Sequence, residues 1–252
     1  MRKILVCIVI LGMTPALAWP RGHWEVEAHV GTWSLNILRG PIEDALGDAL
    51  QEVVQDQLRS DFPGKGLGTY TQSIRFDSSG HNFGFGIRFY PGGMDGVFSM
   101  GVSLERTEMR LRVDGTVHQD FQDGSVLDAE ATGEIVMRPW TVHFSMRWDI
   151  PVHPQIRPYL TLGFGYSGLT GTVTAQGAGT MRDAALPIPI PLIYRFSETE
   201  DLQNIRDLPL RWIPFVELNL GIQLRLEERL ALRLDAGIWN GLRIRGGLAV
   251  RI

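Results

Sequence analysis

The residues with the clearest claim to chemistry are His143 and Ser145 in His143-Phe144-Ser145, because alternation along a strand puts this base and nucleophile on one face. Asp149 is the one nearby acid sharing that face. His29, His81, His118 and His153 are scattered without ligand spacing, so no metal site is expected. Cys7 is the only cysteine, and it falls in a segment read below as removed, which excludes a thiol nucleophile, a disulfide framework and thiolate ligation. The expected catalytic, cofactor and metal sets are therefore empty. A larger set stands out instead: Glu25, Glu27, Arg88, Glu105, Arg147, Asp149, Glu217, Arg233, Asp235, Arg243 and Arg245, each on the polar side of an alternating segment. Five arginines and six carboxylates on one face of a narrow interior would pair into a charge network, structural or gating in role.

The elements that must hold these residues are strands. Residues 24–31 alternate, with Trp24, Val26, Ala28 and Val30 on one side and Glu25, Glu27, His29 and Gly31 on the other. The same period recurs at 83–90, 98–105, 141–149, 159–166, 216–225, 230–237 and 242–252, which makes eight strands. Their connections are mostly short at one end, as at Pro91–Gly96, Pro151–Gln155 and Glu227-Glu228, and long at the other, as at 37–68 and 177–210. Short turns at one end and long loops at the other are the build of outer-membrane barrels. In the third hairpin, turning at Asp123-Gly124, the apolar parity flips near residue 106 and again near residue 140, which predicts a bulge beside Pro139 and a two-stranded extension beyond it.

Alternation alone also fits a soluble barrel with its apolar face inward. Three features favour lipid outside. The polar face is rich in glycine with charges between, as a narrow interior requires. Aromatics end the apolar rows, Trp24 and Trp148 toward the short turns and Trp140, Tyr166 and Trp212 toward the long loops, as interface girdles do. The last strand stays apolar at alternate positions up to Ile252.

The N-terminus supplies an export signal: Arg2 and Lys3, an apolar run from Ile4 to Met13, then Ala16-Leu17-Ala18, a cleavable signal peptide over 1–18. The run is too short for a spanning helix, which takes about twenty residues. Residues 19–252 then form one barrel domain. Losing Arg2 and Lys3 moves the formal charge from −4 to −6, so no nucleic-acid partner is expected. Lys65 is the only lysine that is kept.

On the C-terminal strand Leu242-Arg-Ile-Arg-Gly-Gly-Leu-Ala-Val-Arg-Ile252 and the architecture of residues 23–252, the chain resembles the small outer-membrane β-barrel superfamily that includes the OmpA transmembrane domain, OmpX and OmpW. That family usually ends on an aromatic residue, and this chain ends on Ile252. The resemblance implies an eight-stranded antiparallel up-and-down transmembrane barrel. It also implies outer-membrane lipid and the barrel-assembly machinery as partners, and leaves a surface or periplasmic protein partner open.

Two segments fall outside the strands. Residues 41–59 read as a helix that opens at Pro41, with Ile42, Leu46, Ala49, Leu50 and Val53 as its apolar stripe and Glu43, Asp44, Asp48, Glu52 and Asp56 facing elsewhere. It is expected as a lid on the barrel mouth, with a gate or a docking helix as alternatives. Leu186–Tyr194 is an apolar proline-alternating run with no helical or central-strand future. The favoured reading is a non-enzymatic barrel with a side-chain-filled lumen and a structural or surface-interaction role. A narrow channel for small or apolar solutes, gated by the helix, is the second reading. The third is a lipid-modifying enzyme built on His143 and Ser145, although the neighbours of the lipid A deacylase motif are absent.

Overall fold

The computed structural model of the chain describes residues 22–168, 170–184, 192–202, 204 and 212–252. The expected signal peptide, most of the proline-alternating run and the Trp212 side chain lie outside them. Eleven antiparallel strands in one sheet and one long helix make up the described residues. They are β1 (His23–Ser34), α1 (Arg39–Asp61), β2 (Leu67–Tyr90), β3 (Phe98–Phe121), β4 (Val126–Met137), β5 (Trp140–Asp149), β6 (Ile156–Gly168), β7 (Gly171–Arg182), β8 (Leu192–Asp201), β9 (Trp212–Arg225), β10 (Leu230–Trp239) and β11 (Leu242–Arg251).

The strand pairings run from β1 through β2, β3, β5, β6, β9, β10 and β11 and return to β1. The total of eleven corrects the expected eight. β2 and β3 each run 24 residues, roughly 80 Å at about 3.4 Å per residue. Their far halves leave the circuit and pair with β4, β7 and β8 as a five-stranded extension. The stretch expected as a loop over 177–210 therefore contains the end of β7 and all of β8. Small residues on β7, Ala175, Gly177 and Gly179, gave no apolar alternation to read.

The expected bulge is also corrected. One register, in which paired residue numbers sum to a constant, holds from Tyr70↔Gln119 to Phe89↔Met100, and the only shift between these strands lies at Leu67/Tyr70. On its other side β3 passes from Arg106↔Trp140 to Met109↔Met137 without a slip. What flips is the surroundings of each face. The outward side of β3 reads Met100, Val102, Leu104 and then Glu108, Arg110, Arg112, while the inward side passes from Glu105 and Thr107 to Met109 and Leu111. Pro139 does interrupt the partner strand between β4 and β5, and its carbonyl accepts from the Thr107 N–H at 3.2 Å. The hairpin turns at Gly124 with φ +82, a conformation glycine adopts without steric cost.

α1 packs on the extension, on the face continuous with the interior of the circuit. Leu58 is buried with Phe121 and Met181, and Val54, Phe62, Leu67 and Leu127 flank them. The inner face is Glu43, Gly47, Leu50, Val54 and Leu58, rotated from the expected stripe: Ala49 and Val53 are exposed. Glu43 turns toward the sheet because its carboxylate accepts the Phe76 N–H at 2.7 Å, and Gln72 donates to the Gly47 carbonyl at 2.9 Å. Lys65, just past the helix, reaches Asp123 at 2.5 Å, Ser125 at 2.8 Å and Asp183 at 3.0 Å. This one ammonium pins the β3–β4 turn and the end of β7 to the helix exit. Its hydrogen bond holds the Asp123 carboxyl down at about 2, and Asp123 in turn raises the Lys65 ammonium above its ordinary value.

Candidate functional site

The circuit is built inside out relative to a water-soluble core. Its outward positions are large and apolar, Val26, Phe85, Val102, Val142, Phe164 and Leu220 among them, and each is more than 40% exposed. Its inward positions carry charge: Glu25, Glu105, Glu217, Arg147 and Arg243 are at most 1% exposed. All eleven residues singled out from alternation point inward, with Glu27 and Arg245 slightly less buried than the rest.

They form two linked clusters. In the first, Arg243 bridges Glu105 at 2.8 Å and Glu217 at 2.5 Å, and Arg245 reaches Asp235 at 3.0 Å, Glu217 at 3.1 Å and Glu105 at 3.3 Å. In the second, Arg233 holds Glu25 and Glu27, and Arg147 holds Asp149 at 2.6 Å and Gln223 at 2.6 Å. Arg88 lies 4.0 Å from Glu27 and donates to Ser145 at 2.9 Å and Ser99 at 3.3 Å. Each carboxylate faces at least one guanidinium, the condition under which buried charge is tolerated. Glycines make the room: a Cβ on Gly165 would run into the His143 ring.

Sequence reasoning missed the neutral members. Tyr159 donates to Asp235 at 2.7 Å, with the Arg147 guanidinium 3.7 Å above its ring, and Asn82 ties Glu105 to Thr107 at 3.1 and 2.8 Å. It also missed an apolar cap at the long-loop end, Trp33, Met109, Phe215 and Trp239, with Leu35, Leu111 and Met137 against it. Phe215 and Trp239 stack 4.5 Å apart. Trp33 and Trp239 share parity with Glu25 and Asp235, so extending each alternation by one more inward position would have found them. This cap lies at the long-loop end of the circuit, while α1 packs on the extension.

His143 and Ser145 are brought together on the inner face, yet neither is available. The Trp239 indole N–H donates to His143 Nε2 at 2.9 Å. An indole only donates, so Nε2 is the acceptor and Nδ1 carries the proton toward Glu217, 2.9 Å away. Ser145 is engaged by Arg88, not by the imidazole. A base whose lone pair is already taken cannot activate this serine.

Two aromatic groups border the apolar belt. Trp24 packs on Phe89 at 5.0 Å and Phe98 on Trp148 at 5.6 Å near the short turns. At the opposite border Phe83 meets Trp140 edge-on at 6.2 Å, the Arg106 guanidinium lies 5.4 Å over Trp140, and Tyr166 is 60% exposed.

Among solved structures the chain is similar to the β domain of the Bordetella autotransporter Brka, at 9% identity over 90% of this chain and 99% of that one, with a TM-score of 0.30. It is similar to the KdgM porin in complex with disordered oligogalacturonate at 11% identity, over 72% and 98% of the two chains, TM-score 0.22. A third likeness is to the translocator domain of the autotransporter NalP from Neisseria meningitidis, at 9% identity, 99% and 98% coverage and TM-score 0.21. No family model matches the chain, and no curated protein matches it. Likeness at this level assigns neither activity nor ligand.

Proposed function

We propose that the chain is a bacterial outer-membrane β-barrel in which the eight-strand circuit crosses the bilayer, its interior filled by side chains and closed to solute flow. The role is non-enzymatic, structural or surface-interacting, with the five-stranded extension and α1 as the contact surface. One observation carries this reading: an exposed apolar belt encloses buried, paired charge, an arrangement favourable in lipid and costly in water. β5 crosses the belt in ten residues, close to the length of a tilted membrane strand of about 9–11 residues. Trp24 and Trp148 on one border and Trp140 and Tyr166 on the other serve as interface anchors.

The cap and the network support a closed interior, because an eight-strand lumen is only wide enough to be filled by side chains. Planar-bilayer recording tests this. No stable conductance is expected from the intact chain, nor from one lacking residues 41–60, because the cap is made by strands. Conductance that appears on deleting the helix would make α1 a gate and overturn the closed reading.

A further inference from the structure

The outer surface passes from apolar to polar at the level where Phe83, Arg106 and Trp140 pair across β2, β3 and β5. Arg106 stands between the inward Glu105 and Thr107, so its side chain points outward; it is partly buried, with the guanidinium 5.4 Å from the Trp140 ring centroid. The arginines above it on the same face are each paired. Arg138 donates from Nε to Glu108 at 2.8 Å, Arg110 faces Glu134 at 3.3 Å, and Arg112 meets Asp114 at 2.9 Å. Among the described residues no carboxylate engages Arg106, and its ring contact with Trp140 is its one partner. The nearest acid in register, Glu108 one row up, is already held by Arg138, which is itself 47% exposed. Directly below Arg106 the outward positions are Phe85, Leu104 and Tyr166, all exposed. At the other border Trp24 and Trp148 meet Phe89 and Phe98, not a guanidinium.

We infer that this point of the border is a docking site for the phosphate of a membrane lipid, with Arg106 as the first cation, Arg138 as the second, and Phe85, Leu104 and Tyr166 as the bed for the acyl chains. A guanidinium is weakly hydrated and matches a phosphate with two parallel N–H donors. Trp140 holds that fork at the surface, which lowers the cost of ordering it. The charge is complementary where it stands unanswered by the protein, and the surface beneath it is apolar. A free anion would use only the first of these features; a lipid uses both. The inference rests on the membrane reading and adds to it the headgroup chemistry that the long-loop border selects.

The test folds the full chain in maltoside micelles and offers it, in separate samples, a diacyl phosphatidic acid and the chain-matched diacylglycerol, with retained lipid counted by native mass spectrometry. Phosphatidic acid should bind about tenfold more tightly, the scale of a charge-assisted hydrogen bond. Arg106→Gln should bring the two lipids within about twofold of each other, and Arg106→Lys, which keeps the charge but not the fork, should fall between. Arg112→Gln, on the same face but already paired, should leave the preference as it was. Equal retention of both lipids by the unaltered chain, or a preference that survives in Arg106→Gln, would overturn the site. Displacement of phosphatidic acid by an equal concentration of inorganic phosphate would make the ligand a free anion and overturn the lipid assignment. Retention of neither lipid would strike at the membrane reading as well.

Discussion

At the scale of single residues, the interior behaves as a set of mutually dependent charges. Glu217 receives Arg243, Arg245 and the protonated side of His143. Replacing it by Gln leaves Arg243 and Arg245 to share Glu105 and Asp235 with one buried carboxylate fewer, so Glu217→Gln is expected to cost about 3–5 kcal/mol in chemical denaturation, the range for a broken buried pair. A cost below 1 kcal/mol would mean that water reaches this layer. Trp239→Phe keeps the stack on Phe215 but removes the donor to His143. Its expected cost is about 1–3 kcal/mol, the price of an orphaned buried acceptor. In the extension, His118 lies 2.6 Å from Asp128 and 3.3 Å from Asp120, which raise its pKa above the ordinary 6.5. A raised folded value means the contact stabilises fully below the unfolded pKa and fades as pH rises through the folded one. An NMR titration of His118 should give a midpoint above 6.5 that falls in Asp128→Asn.

At the scale of elements, each outward position of the belt should resist charge. Val102 lies midway along the part of β3 that pairs with β5, between Ile87 and Phe144. Val102→Arg should cost about 2–4 kcal/mol when the chain folds into lipid, as charge does near the bilayer midplane, whereas Arg112→Ala, on the outward face of the extension, should cost little. The eight segments that cross the belt were legible because every second residue there meets a different medium, as in Phe83, Phe85 and Ile87 against Gly84, Gly86 and Arg88. The same rule misled at residue 106. There both faces change character at one height, apolar to charged outside and charged to apolar inside, so a straight strand imitates a bulge. β7 was illegible for another reason: alternation needs side chains, and between Val173 and Met181 the face that meets the helix is only Ala175, Gly177 and Gly179. The helix was found, but its stripe was misjudged because Glu43 faces the sheet to satisfy the Phe76 N–H, a demand that hydropathy does not record. Of the site, the charges were readable one by one; their partners were not, since Arg243 and Glu105 lie 138 residues apart in the chain.

At the scale of the whole molecule, the proposed membrane reading gives one surface to lipid and another to water, and the border between the apolar and the polar outer surface is a single level of the sheet, Phe83, Arg106 and Trp140 in mutual register. Lys65 holds the watery part together by tying the helix exit to the β3–β4 turn and to β7. Lys65→Met should leave the belt intact and raise proteolysis of the extension, a separation that limited trypsinolysis of the folded chain would show. The claim beneath all of this is that the outward face of the circuit meets hydrocarbon and the inward face does not. Cys7 is the only native cysteine, so single cysteines at 102 and 218, outward, and at 103 and 219, inward, can be spin-labelled in a chain reconstituted into vesicles. Collision with oxygen should be high and with a water-soluble nickel chelate low at 102 and 218, and both low at 103 and 219. Nickel collision at 102 and 218 equal to that of an exposed label on the extension would contradict the account.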